Sequence, residues 1–496
     1  MKQASESMSK VDTAWLRMDS DANLMMILGV WTLRPGIGLA ALRQRVTERL
    51  LPYDRFRQRV EEEGGGARWV DHAVDIREHV VPEKLSRRKG LDPQAALQQR
   101  IGELAMQPLD RGRPLWQMHL VEDYDGGSAL IIRIHHCIAD GIALISVTMS
   151  LVDGGAPPPR RARKAAGAVA EDWLVDGLVK PLAGVALKAL EAAGDGAAKS
   201  LAMLAQPHKG LAGPMGLAQG AFQLVSDAAA LLMMPDDSPT RLKGKPGRAK
   251  CVAWCPPLPL DEVRAIGKAL NCSINDVLLS CVAGAIGQYL IAQGDDVRGV
   301  EIRAMIPVNL RSPDQGVHRL GNHFGLVPLV LPVGVANPIE RVYEVRRRMA
   351  ALKGSTQPLL AFAVLAVAGL LVKPAQDAIM ALFGRKTTAV MTNVPGPREK
   401  LKFLGSTLDQ VMFWVPQSGD IGLGVSILSY GGNVQFGVIT DNARCAAPQE
   451  IIDHFEPEFA RLSLVTLMLP WGDDEIQLSA EFSGISPSRK VANSAS

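Results

Sequence analysis

The sequence predicts a mixed α/β (α+β) chain made of two large units joined by a helical region. Strand-like and helix-like segments alternate through residues 1–153 and again through 251–485. Between them, 154–250 turns to Ala, Leu, Gly, Pro and Arg, as a linker with Ala/Leu-rich helices would. The length of 496 residues exceeds what one domain of about 100–200 residues holds. Residues 486–496 read as a flexible tail.

In the first unit, Arg55 to Val60 and Ala67 to Val70 flank the turn-like EEEGGG and predict a hairpin. Pro93 to Met106 predicts a helix, with Asp92 as N-cap and Pro93 at the first helical position. GGSALIIRIHH predicts a strand, and Ile142, Ile145, Met149 and Val152 then recur at helical spacing. In the linker, residues 171–234 predict two or three apolar helices. In the second unit, CVAWCPPLPL, EIRAMIPVNLR and GLVPLVLPV predict strands, and DEVRAIGKAL and NDVLLSCVAGAIGQYLIAQ predict helices. IGLGVSILSY and VQFGVITD, joined by Gly431-Gly432-Asn433, predict a hairpin. Pro448 to Leu464 predicts a closing helix.

Composition excludes several classes. Apolar residues are 47% and charged residues 21%, so the chain can bury a large core. A net charge of +3, from 54 basic and 51 acidic residues, is too small to point to nucleic acid. The six cysteines form no CxxC pair and read as reduced thiols of a cytoplasmic protein without a metal site. The N-terminus lacks a signal-peptide core, and the longest clean apolar run, 358–372, is short of the roughly 20 residues a membrane-spanning helix needs. No transmembrane helix is expected. GxSxG, Walker A, complete GxGxxG and HExxH patterns are all absent.

One heptapeptide carries chemistry: His135-His136-Cys137-Ile138-Ala139-Asp140-Gly141. It lies where an apolar strand gives way to a helix. Adjacent strand side chains point to opposite faces, so one histidine is free to act as a base while the other packs inward. Asp140 is placed to cap the helix or pair with a buried arginine, and Gly141 is read as allowing a tight bend.

HHCIADG resembles the HHxxxDG signature of the CoA-dependent acyltransferase superfamily. An ordered set of further motifs resembles the bacterial wax ester synthase/diacylglycerol acyltransferase family over roughly residues 10–465. These are Pro114-Leu115-Trp116, the Asn275-Asp276 pair, Ala304 to Arg311, Gly321-Asn322, and Asn393-Val394-Pro395-Gly396-Pro397.

That resemblance implies two chloramphenicol-acetyltransferase-like domains with an active-site tunnel between them. It implies a long-chain-alcohol O-fatty-acyltransferase or diacylglycerol O-acyltransferase, with His136 as general base and no covalent acyl-enzyme. His135, Asp140 and Gly141 complete the catalytic motif. Asn275 and Asp276 support substrate, with a plain helix cap as the alternative for that pair. Asp140 pairs with Arg311, or else Arg303, and Pro114, Leu115, Trp116, Asn393, Pro395, Gly396 and Pro397 serve structure. Acyl-CoA is a substrate and no cofactor is implied; the acceptor is a long-chain alcohol or diacylglycerol. A peripheral membrane or lipid-droplet location on the cytoplasmic side is expected, as a monomer or homodimer, without nucleic acid.

The chain departs from the family at Leu24-Met25-Met26, where Pro-Met-His is common, and at Ile142-Ala143-Leu144, where a smaller, more polar run is usual. Acyl length and acceptor choice are thereby left open. Two other readings share the motif: an acyltransferase using another acceptor or a carrier-protein thioester, and a non-catalytic lipid-binding protein.

Overall fold

The computed structural model describes residues 5–63, 66–86, 92–158, 234–310, 320–352, 376 and 384–469. The expected linker helices at 171–234, the apolar run 358–372 and the tail 486–496 lie outside the described residues, except for residue 234.

The first half opens with β1 (Ser5–Ser7), α1 (Lys10–Arg17), β2 (Met26–Arg34) and α2 (Leu39–Arg49). The predicted hairpin follows as β3 (Gln58–Glu63) and β4 (Gly66–Asp71), with β1 on its far edge. Then come α3 (Ile76–His79), β5 (Val80–Pro82), α4 (Pro93–Ala105), β6 (Trp116–Tyr124), β7 (Gly127–His135) and α5 (Gly141–Leu151). The second half contains β8 (Lys250–Trp254), β9 (Leu258–Pro259), α6 (Leu260–Ala269), α7 (Ile274–Ala292), β10 (Ile302–Asn309), β11 (Phe324–Leu331) and α8 (Pro338–Leu352). It ends with β12 (Ala389–Pro395), β13 (Lys402–Phe403), β14 (Ser406–Trp414), β15 (Leu423–Tyr430), β16 (Asn433–Asp441), α9 (Gln449–Ile452) and α10 (Phe455–Leu467).

Two large sheets result. One runs β13-β14-β2-β7-β6-β5 and the other β11-β10-β12-β15-β16-β8, with β9 also on β16. The first sheet is therefore not the property of the first half. Strand β14 pairs antiparallel with β2 from Thr407↔Arg34 to Trp414↔Leu28. A boundary near residue 251 separates segments of chain without separating the sheets.

Local chemistry explains the elements that hold the site. Asp92 caps α4 by accepting from Ala95 N at 3.2 Å, and Pro93 sits where its missing N–H costs nothing. Leu97, Ile101 and Leu104 of α4 are fully buried against Val252 and Trp254 of β8 and Met412 and Trp414 of β14. That cluster is the seam between the halves. Gly102 permits it, because a Cβ there would lie 2.4 Å from the Lys250 carbonyl oxygen. The seam also holds a buried polar link. Lys250 Nζ donates to Asn23 Oδ1 at 2.7 Å and to Asp441 Oδ2 at 3.1 Å, and Asn23 donates to the Gly419 carbonyl at 2.8 Å.

One expectation needs correction. The closing helix is two helices, α9 and α10, broken at Asp453-His454. Pro457 lacks the N–H that would continue the first, and fits the first turn of the second. One described helix, α7, is also long and apolar enough to cross a bilayer, but 78% of its apolar window is buried in the core of the second half. Gly, Ser and Cys interrupt its apolar run without shortening the helix.

Candidate active site

Strand β7 is buried along almost its whole length and ends at His135, so the loop 136–140 begins inside the protein. The neighbouring β6 supports it. Pro114, Leu115 and Trp116 are all buried. His135 N donates to the Leu115 carbonyl at 2.9 Å. Trp116 Nε1 donates to the Phe56 carbonyl at 2.9 Å, and its ring packs on Phe56 and His79. This triplet fixes the course of the chain beneath the histidines.

The two histidines do different things. His135 Nε2 faces both carboxylate oxygens of Asp19 at 3.3 Å, and its Nδ1 accepts from Cys137 N at 3.2 Å. This set requires the proton on Nε2 and leaves His135 no lone pair for a substrate. Burial raises the Asp19 carboxyl, but donation from His135 and from Met25 N outweighs it and holds Asp19 below its ordinary range.

His136 turns the other way. It is 4% exposed, and its ring stacks on Trp15 at 4.2 Å with an interplanar angle of 12°. Phe324 lies tilted at 5.5 Å. Main-chain bonds hold the residue at both ends: its N donates to the Met25 carbonyl at 2.7 Å, and its carbonyl accepts from Asn322 Nδ2 at 2.7 Å. Among the described residues, Nδ1 is buried without a hydrogen-bond partner. Burial pushes the imidazole down to about 4, against smaller raising effects from its own carbonyl, Asp140 and Asn322. The ring is therefore neutral near pH 7. Trp15 closes one face, so a substrate oxygen must arrive along the ring edge.

Asp140 is the N-cap of α5, accepting from Ala143 N at 2.9 Å, and its other oxygen accepts from His323 N at 3.0 Å. Arg311, the expected partner, lies outside the described residues. Arg303, the other candidate, directs its guanidinium to the carbonyls of Pro235 and Lys386. Gly141 does not serve the bend. It has no positive φ, and no described atom lies within 4 Å of a Cβ placed there. The turn is made before it and locked by the Asp140 cap, so the glycine leaves open space instead.

Asn275 is not the helix cap. Ser273 caps α7, and Asp276 returns the bond by accepting from Ser273 N at 2.8 Å, a reciprocal capping box. Asn275 is exposed, and its Oδ1 accepts from Asn393 Nδ2 at 2.8 Å. That contact leaves the Asn275 amide N–H groups as donors. Gly396 sits where a Cβ would meet the Ser429 carbonyl oxygen at 2.4 Å, and its N donates to that oxygen at 2.8 Å. Pro395 ends β12 exposed, and the Pro397 carbonyl accepts from Gly431 N. This segment thus continues along β15 rather than turning away. No hydrogen bond joins Asn275 or Asn393 to His136 among the described residues.

Sequence reasoning passed over Asp12, Trp15 and Asp19, which with Asn322 surround the histidines. Asn322 was visible only as half of a Gly-Asn pair, and Asp19 as one acid in a polar stretch. Cys137 is fully buried, and burial pushes its thiol well above the usual range, which makes it a poor nucleophile. A cavity of about 490 Å³ lies between α4 and β8, and none of its lining residues belongs to this site. Among the described residues no group of three or more His, Cys, Asp or Glu could hold a metal ion.

Residues 8–278 match the wax ester synthase/diacylglycerol acyltransferase catalytic domain, and residues 320–463 match the C-terminal domain of the same family. The chain belongs to the wax ester synthase/diacylglycerol acyltransferase family. It is an acyl-CoA-dependent acyltransferase. A protein of Mycobacterium tuberculosis H37Rv named a probable diacylglycerol O-acyltransferase is 27% identical over 471 residues, covering 92% of this chain and 96% of its own length. Among solved structures, the wax ester synthase/diacylglycerol acyltransferase of Marinobacter aquaeolei VT8 is similar with a TM-score of 0.63 at 19% identity, covering 93% of this chain and all of that one. The first condensation domain of the calcium-dependent antibiotic synthetase is similar with a TM-score of 0.57 at 14% identity, covering 93% and 96%. Both likenesses are of fold.

Proposed function

We propose that this chain transfers a fatty acyl group from acyl-CoA to a long-chain alcohol, a diacylglycerol or both, with His136 as the general base. The observation that carries the reading is the buried imidazole of His136, kept neutral by its surroundings and held at both main-chain ends by hydrogen bonds. The acceptor oxygen attacks the thioester carbonyl while its proton passes to the imidazole. A C–O bond forms, the C–S bond breaks, and the proton leaves on the CoA sulfur. General-base assistance of this kind contributes about 10²–10⁴-fold. The inert Cys137 thiol supports direct transfer without an acyl-enzyme.

The acceptors are water-insoluble, so we place the enzyme in the cytoplasm against a membrane or lipid inclusion. The exposed Leu464, Leu467 and Met468 at the end of α10 support a lipid-facing surface. The test is CoA release from palmitoyl-CoA with hexadecanol and with dioleoylglycerol, in parallel, with His136→Ala as control. Acceptor-dependent release that disappears in the variant is expected. No release from folded protein with either acceptor overturns the reading.

A further inference from the structure

We propose, resting on the general-base reading of His136 above, that the outer face of α5 is the wall along which the acyl chain of acyl-CoA lies. Ile142, Ile145 and Met149 on that face set the length of chain accepted. α5 is apolar on all sides: apart from Ser146, Thr148 and Ser150 it carries only Gly, Ala, Ile, Leu, Val and Met. A helix of that kind needs an apolar neighbour all round. On one side it has one. Ala143, Val147 and Leu151 are buried in the core that also holds Cys137, Ile138 and Phe324.

The other side differs. At about 100° per residue, Ile142, Ile145, Ser146 and Met149 form a stripe turned away from those three. Ile142 is 40% exposed, and the other exposed large apolar side chains among the described residues lie on or just after α7 and α10, away from the histidine motif. Ile145 and Met149 are half-buried, and neither joins a core cluster among the described residues. The stripe begins at the reaction centre. Asp140 caps the helix at the end of the loop that carries His136, and Gly141 follows it. No described atom lies within 4 Å of a Cβ placed at Gly141, so space is open between that loop and the first turn of α5.

A thioester carbonyl attacked beside the His136 ring carries its alkyl chain away from this loop. The chain needs an apolar path that no core side chain fills, and the stripe supplies one from its first residue. A single unbranched chain suits the narrow entrance at Gly141, whereas a diacylglycerol brings two chains and a glycerol. That favours the acyl donor over the acceptor as the occupant. Gly141, Ile145 and Met149 follow one another at intervals of one turn, about 5.4 Å or roughly four methylenes of an extended chain. Bulk at Met149 therefore stops a longer chain than bulk at Ile145 does.

The first experiment compares Met149→Trp and Ile145→Trp with wild type, after circular dichroism shows both folded. CoA release is measured from octanoyl-, dodecanoyl- and palmitoyl-CoA with one fixed acceptor, then from palmitoyl-CoA with octanol and with hexadecanol. Met149→Trp should lower kcat/KM for palmitoyl-CoA relative to dodecanoyl-CoA by about 10- to 100-fold, each methylene without apolar contact being worth roughly fourfold. Ile145→Trp should move the cut-off one turn nearer, penalising dodecanoyl-CoA relative to octanoyl-CoA as well. The octanol-to-hexadecanol ratio should stay as in wild type. An equal loss at every acyl length, an unchanged length profile, or a shift in the alcohol ratio instead overturns the proposal. The second experiment needs neither variants nor turnover. A palmitoyl-CoA analogue with a diazirine near the end of its chain is photolysed on wild-type protein. Labelling within residues 141–151, competed by palmitoyl-CoA and read by peptide mass, is expected; competed labelling confined to other segments overturns the proposal. If wild-type protein releases no CoA with either acceptor, the acceptor reading falls while the label still decides where the acyl chain lies.

Discussion

Asp19 is the strongest place to test how the histidines are held. Its carboxylate accepts from Met25 N at 2.7 Å and faces His135 Nε2 at 3.3 Å, and the Met25 carbonyl in turn receives His136 N at 2.7 Å. One side chain thus supports His135 directly and His136 through Met25. Asp19→Ala leaves two donors, one on His135 and one on Met25, without their acceptor. At roughly 1–3 kcal/mol for each, the loss is about 2–6 kcal/mol, a large share of the 5–15 kcal/mol that folded proteins typically hold. A chain of this length does not unfold in one step, so the readout is the shift of the first thermal midpoint at fixed scan rate. A drop of roughly 4 °C or more is expected. Asp19→Asn keeps one acceptor oxygen for Met25 N and loses the charge, so it falls between wild type and alanine. Acceptor-dependent CoA release should decline in the same order. Because Asp19 is held below its ordinary range, its stabilisation is present above the unfolded value of 3.8 and is lost as pH falls through the folded value. An Asp19→Ala protein with wild-type midpoint and wild-type kcat would refute this reasoning.

Three further predictions follow the same geometry. A pH titration of the His136 ring by NMR should show a midpoint below 5, against about 6.5 for a free histidine, with the neutral form lost only as pH falls through that lower value. For the same reason His136 works against stability between about pH 6.5 and 4, where the unfolded chain takes up a proton that the folded one refuses. Cys137→Ala should keep most of the wild-type kcat, and iodoacetamide should leave Cys137 unmodified in native protein at pH 8, read by peptide mass; labelling there would contradict its burial. Trp116→Phe retains most of the buried ring but orphans the Phe56 carbonyl, so the thermal midpoint should fall by an amount corresponding to about 1–3 kcal/mol.

What could be read from the sequence was what local chemistry writes down. Asp92 with Pro93 announces the start of α4, and Gly431-Gly432-Asn433 announces the β15–β16 hairpin, because caps and tight turns depend on residues a few positions apart. The heptapeptide HHCIADG was legible for the same reason. The capping box at Ser273 and Asp276 is written locally as well, in the S-x-x-D spacing that opens α7. The partners of the histidines were not legible. Asp12 and Asn322 are 310 positions apart, and no local pattern records which distant amide donates to which carbonyl. Strand β14 was hidden likewise: its residues fit a strand, but nothing in them says that β2 is its neighbour.

That strand has a consequence during synthesis. β2 is paired with β7 on one side and with β14 on the other, so its second edge stays bare until β14 has left the ribosome. Roughly 370 residues separate the two strands, about 20–75 s of translation at roughly 5–20 residues per second. Throughout that time an apolar nine-residue edge is available to any other strand in the cell. The nascent chain therefore needs a chaperone or rapid burial of that edge, and a truncated gene ending before β14 should yield inclusion bodies rather than a separable catalytic half.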